Sequence, residues 1–153
     1  MRRCVTLLSF AAVAACHRDD SRFTAVQSRG ATAMGVNQYT SSHRFDPLPD
    51  GGRIELQRDV VDSIGVAQVR RNLQGIAIAF QQGRFDTPAV VHDMPVPGTA
   101  VMAARKGSIT YAYRDLPRGG EVRITSHDSV AVAAIHEFLA FQRMDHRVGM
   151  GHQ

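Results

Sequence analysis

Seven histidines, two cysteines and six methionines are the side chains of this 153-residue chain able to offer a nitrogen or sulfur ligand to a soft or borderline metal ion. Three histidines stand out by context: His43 in an alternating segment, His92 in the run His92-Asp93-Met94, and His146 near the end of a helical pattern. Imidazole nitrogen suits Zn, Cu, Ni and Fe, and a nearby thioether shifts the preference toward copper. His43, His92, Met94 and His146 are therefore a candidate set for copper or another divalent ion. No compact spacing such as H-x-x-x-H ties them together. Gln142 and Tyr111 are the polar candidates for lining an organic-ligand pocket. No catalytic grouping is legible. Ser41 and Ser42 precede His43 without a G-x-S-x-G elbow, no glycine-rich phosphate loop follows a strand, and the carboxylates are scattered, with no pair set as acid and base.

Cys16 carries a different chemistry. Met1-Arg2-Arg3 is followed by an apolar run from Val5 to Ala15, too short to span a bilayer, which is the pattern of a secretory signal. Its end, Val13-Ala14-Ala15-Cys16, resembles the lipobox of bacterial lipoproteins, where the cysteine sulfur receives diacylglycerol before cleavage. The resemblance implies a signal peptide over 1–15 and a lipid-bearing Cys16 that holds the protein on the periplasmic side of a membrane. His17, rather than Asp, after that cysteine favours the outer membrane in a Gram-negative host. Cys4 leaves with the signal and Cys16 is consumed by lipid, so the remainder holds no disulfide, no Cys-ligated zinc and no cysteine nucleophile. Loss of Arg2 and Arg3 from the 18 basic residues leaves 16 against 14 acidic ones, scattered along the chain. That is not a nucleic-acid footprint.

Residues 16–38 are polar and small and read as a flexible tether. The elements that must position the histidines lie in a single α+β domain over 39–148, which has length for one core. Within it, Leu48-Pro49-Asp50-Gly51-Gly52-Arg53-Ile54-Glu55-Leu56 matches Leu116-Pro117-Arg118-Gly119-Gly120-Glu121-Val122-Arg123-Ile124 at an offset of 68 residues. Each copy is flanked by alternating segments and followed by a helical pattern, so each reads as a hairpin turn, with Pro setting the entry and Gly supplying positive φ. Strands are expected over Tyr39–Phe45, Arg53–Gln57, Ser108–Arg114 and Glu121–Ser126. Helices are expected from an Asp62 or Ser63 cap to Gln82, and from an Asp128 or Ser129 cap to Arg147. The fold expected is a tandem ββα repeat (39–82 and 108–147) forming a four-stranded antiparallel sheet with two helices on one face. A long loop, 83–107, joins the units, and 149–153 form a frayed tail.

Comparison of the two copies locates the unusual residues. Aligning the helices on Leu73 and Leu139 pairs Ile76 with Gln142 and Phe80 with His146, so two core positions become polar. The strand offset pairs His43 with Tyr111, on the core-facing side. The same helix register pairs Arg70 with His136, expected on the helix flank, while His127 is expected near a cap in solvent. Buried polar groups cost several kcal/mol unless partnered. Either they form a ligand or metal site between sheet and helix, or the second helix outruns the core and His43 bonds a backbone carbonyl.

Met34-Gly35-Val36-Asn37-Gln38-Tyr39-Thr40-Ser41-Ser42-His43-Arg44-Phe45, Val69–Ala77, Val96-Pro97-Gly98 and Ala134–Gln142 resemble a family of small uncharacterised exported bacterial lipoproteins. Some of its members carry the label aspartate carbamoyltransferase. The family has histidine where this chain has Asn72. A carbamoyltransferase activity would follow from the label alone: the chain is half the size of such an enzyme and lacks the S-T-R-T phosphate-binding segment.

The function expected is therefore a lipid-anchored periplasmic binding or interaction domain. Its partner would be an envelope protein or a second copy, met by the open sheet face (Thr110, Ala112, Arg114, Arg123, Glu55) and the 83–107 loop. The alternative is a periplasmic metal-binding protein of copper type.

Overall fold

A computed structural model of the chain describes residues 10–35 and 37–148, with side chains from residue 20 onward except that of Gln38. Residues 1–9 of the expected signal peptide and the expected tail 149–153 lie outside the described residues. Strands β1 (Ser41–Leu48), β2 (Gly51–Arg58), β3 (Ile109–Leu116) and β4 (Gly119–Ser126) form one antiparallel sheet in the order β1-β2-β4-β3. Five α-helices occur among the described residues: α1 (Phe10–Met34), α2 (Ser63–Gln81), α3 (Asp86–His92), α4 (Thr99–Ala104) and α5 (Ser129–Asp145). The protein is α+β, with a ββα run before and after the α3–α4 connection.

Alternation decides which side of the sheet is the core. In the register, His43 faces Leu56, Phe45 faces Ile54, Ile54 faces Val122, and Tyr111 faces Ile124. Opposed residues share a face, so these side chains lie together and are covered by Val69, Leu73 and Phe80 of α2 and Ile135, Phe138 and Leu139 of α5. The other face carries Arg44, Asp46, Arg53, Glu55, Ala112, Arg114, Glu121 and Arg123 by the same register.

The two hairpins close with two-residue turns, pairing Leu48 with Gly51 and Leu116 with Gly119. Gly51 has φ +139°, but Gly119 does not adopt a left-handed φ, so the expectation of positive φ at both turns holds only for the first. Close approach explains both glycines: a Cβ on Gly51 would fall on the Ile124 carbonyl oxygen, and one on Gly119 on the Leu56 carbonyl oxygen. Each helix then pins the opposite hairpin. Arg70 of α2 donates to the Leu116 carbonyl at 2.8 Å, and His136 of α5 bonds the Leu48 carbonyl at 2.9 Å. Asp128 caps α5, accepting from the amides of Val130 and Ala131 at 2.9 and 3.3 Å. His127 is exposed, as expected.

Two expectations are corrected. The segment read as a flexible tether is helical through Met34, and α1 docks on the domain. Its contact patch is small: Val26 is fully buried, Gln27 nearly so, and Arg29 donates to the Val91 carbonyl at 2.8 Å. The docked face, Phe23, Val26, Gln27, Gly30 and Met34, keeps helical spacing but mixes polar and small residues into it, so its apolar signal is weak. The segment read as a long loop holds α3 and α4, anchored by the buried Val91, Val96 and Met102. Gly98, at φ +80°, caps α4 where the connection presses on α5; a Cβ there would fall on the Ala134 carbonyl. Helices of six and seven residues are shorter than the window in which periodicity can show. No described helix is long and apolar enough to cross a membrane.

Candidate functional site

β1, α3 and the end of α5 bring three histidines to one place. His43 sits on the core face of β1, His92 ends α3, and His146 caps α5 one turn beyond Gln142. The His43 and His146 rings stack at 5.4 Å and 15°, and the His92 ring meets His146 edge-on at 5.1 Å. Phe45 stacks on the other side of the group, 5.5 Å from His146. Beside the rings is a cavity of about 60 Å³. Apolar side chains of β1, β2, α2, α3 and α5 form most of its wall, and Met34 of α1 closes part of it. Ile76 and Phe80 of α2 line it together with Gln142 and His146 of α5.

A chain of hydrogen bonds runs into this cavity from the surface. Arg22 of α1 donates to Asp145 Oδ1 at 2.8 Å, and His92 Nδ1 donates to Asp145 Oδ2 at 2.5 Å. His92 Nε2 lies 3.0 Å from Gln142 Oε1. Burial would raise the Asp145 carboxyl, but the hydrogen bonds from Arg22 and His92 outweigh it and hold the group below the ordinary carboxylate range. His43 is pushed down to about 4 by burial, which a hydrogen bond with the Ser41 backbone opposes only in part. His146 is pushed down to about 3 by burial and then by the neighbouring His43 and His92. Both rings are neutral at neutral pH. Two polar atoms of the group are buried with no partner, Gln142 Nε2 and His146 Nδ1.

The candidate metal set is only partly assembled. His43, His92 and His146 converge, but Met94 does not: Asp93, at φ 55°, turns the chain, and the Met94 sulfur faces the Arg22 guanidinium at 3.5 Å. His92 has both nitrogens committed to Asp145 and Gln142. The stacked rings of His43 and His146 run their in-plane lone pairs side by side rather than toward one point. Among the described residues no group of three His, Cys, Asp or Glu side chains is placed to hold a metal ion. Of the expected set, Met94 is the member that the structure places elsewhere.

Gln142 lines the cavity as expected, but Tyr111 does not share it. Tyr111 lies on β3, at the opposite sheet edge, packed at 5.7 Å on Phe80. Its hydroxyl is buried without a partner, and burial pushes its ionisation up. Asp145, Arg22 and Met34 belong to the site and were not anticipated. The spacing Gln142-x-x-Asp145-His146 places three polar groups on one side of a helix and is the signal available for Asp145. Arg22 and Met34 follow from the docking of α1, which has no such signal.

On the open face the arginines are already paired. Arg114 makes a two-pronged ion pair with Glu121 at 2.9 and 3.0 Å, and Arg53 pairs with Asp46 and lies 3.7 Å from the same Glu121. Glu121 is buried beneath them. Compared with family models, with curated proteins and with solved structures, the chain finds no match.

Proposed function

We propose that this protein is a lipid-anchored envelope domain that binds a small organic molecule in the cavity between α2, α3, α5 and the sheet. The observation that carries this reading is the pair of unpartnered buried atoms, Gln142 Nε2 and His146 Nδ1, at one apolar cavity. An unsatisfied buried polar atom costs roughly 1–3 kcal/mol, and the equivalent positions of α2 are filled by Ile76 and Phe80 at no such cost. A bound molecule that supplies the missing hydrogen bonds accounts for the difference. The open sheet face is the weaker candidate, because its arginines are neutralised by Asp46, Asp50 and Glu121. Attachment rests on the sequence around Cys16, which lies within α1; cleavage before it leaves the docked part of that helix as the link to the membrane.

The test is His146→Phe, which keeps an aromatic ring against His43 and Phe45 and removes the unpartnered nitrogen. If the polar atom is held for a ligand, the ligand-free variant is more stable than the wild type by about 1–3 kcal/mol, read by urea unfolding at neutral pH. A variant less stable than wild type shows that His146 serves the fold and overturns the reading.

A further inference from the structure

We infer that the occupant of this cavity is an uncharged compound of a few non-hydrogen atoms, with an apolar body and a carbonyl-type oxygen that accepts from Gln142 Nε2. The inference rests on the binding reading above and adds its chemistry. Size comes first. A cavity of about 60 Å³ holds on the order of four waters at 10–15 Å³ each, so the occupant is small. Polarity follows from the hydrogen-bond inventory. The oxygen of Gln142 is engaged by His92, and the free end is an amide nitrogen, which donates and cannot accept. The occupant must therefore present an acceptor to it.

Charge follows from what faces the cavity on every side. Asp145 is the nearest carboxylate, and Arg22 and His92 already hold its two oxygens. A cation would find no free counter-charge. His92 is committed to Asp145 and Gln142, while His43 and His146 are neutral through burial. An anion would find no free positive group either. The remaining wall, including Ile54, Leu56, Leu73 and Ile76, is hydrocarbon apart from the uncharged Thr87. Burying an unpaired charge there costs far more than burying a carbonyl that gains a hydrogen bond.

The test uses three probes with the same isopropyl body on the full chain at pH 7: isobutyramide, isobutyrate and isobutylammonium. Binding is followed by the side-chain amide resonances of Gln142 and the ring resonances of His146. The expected result is that isobutyramide binds at least about tenfold more tightly than either ion, a difference of one decade in Kd. Gln142→Glu retains an oxygen for His92 and replaces the donor with an acceptor; it should weaken isobutyramide by about tenfold with the circular dichroism unchanged. Equal or tighter binding of isobutyrate or isobutylammonium overturns the uncharged class and leaves the binding reading standing. Binding of isobutyramide undiminished in Gln142→Glu overturns the assigned contact. Failure of all three probes overturns the inference, and the binding reading falls with it only if His146→Phe is also destabilised.

Discussion

His43 and His146 tie the fold to pH. Both are held neutral in the folded chain, with values of about 4 and about 3 against an ordinary 6.5. Between pH 6.5 and 4 the unfolded chain therefore binds protons at these positions and the folded chain does not. Stability is fully present above pH 6.5 and declines on acidification, by about 1.4 kcal/mol per pH unit for each histidine. His43 stops contributing to the decline near pH 4, and His146 continues to near pH 3. Asp145, held below the carboxylate range, keeps its contribution until pH falls through that range, so it does not mask the effect above it. Urea unfolding from pH 7 to 4 should show the slope, and His146→Phe should remove about half of it. A flat profile, or an unchanged one in the variant, would contradict the buried neutral state.

Cross-bracing is the feature of the elements. The helix of each ββα run holds the hairpin of the other, through Arg70 on Leu116 and His136 on Leu48. The strand backbones meet in the same reciprocal way at Gly51 and Gly119. Neither half can bury its sheet face alone. Arg70→Ala and His136→Ala are each expected to cost about 1 kcal/mol, and the double variant should show the sum, since the contacts share no partner. An effect confined to one of the two would show that the braces are not equivalent. The short helices α3 and α4 contribute through burial rather than propensity. Val91, Val96 and Met102 hold them against the domain, which is what delivers His92 to the cavity.

In the whole molecule, α1 connects the proposed lipid to the proposed pocket. Arg147 lies over the Phe23 ring at 4.5 Å and pairs with Asp20 at 3.0 Å, while Arg22 holds Asp145. Met34 at the far end of the helix lines the cavity. The helix is thus one piece with the site rather than a spacer before it. If Cys16 is the point of attachment, Cys16→Ala should move the protein from the membrane fraction to the soluble one, and globomycin should cause the uncleaved precursor to accumulate. Membrane retention of the Cys16→Ala protein would exclude the lipid anchor.

Local pattern was enough for the strands and the two long helices, because alternation and a 3.6-residue stripe are consequences of burying one face, and Pro-x-Gly-Gly marks each turn. It also placed His43 and Gln142 on the core side, since the aligned segments offer Tyr111 and Ile76 as their counterparts. Three things were decided only by tertiary structure. The docking of α1 rests on Phe23, Val26, Gln27 and Met34 with a few hydrogen bonds and ion pairs, a face too mixed with polar and small residues to stand out as an apolar period. The partners of His92 come from α5, fifty residues onward, and no local rule joins them. The parting of Met94 from the three histidines depends on a left-handed residue at Asp93 that turns the chain. Residue types can nominate ligands, but only packing determines where their lone pairs point.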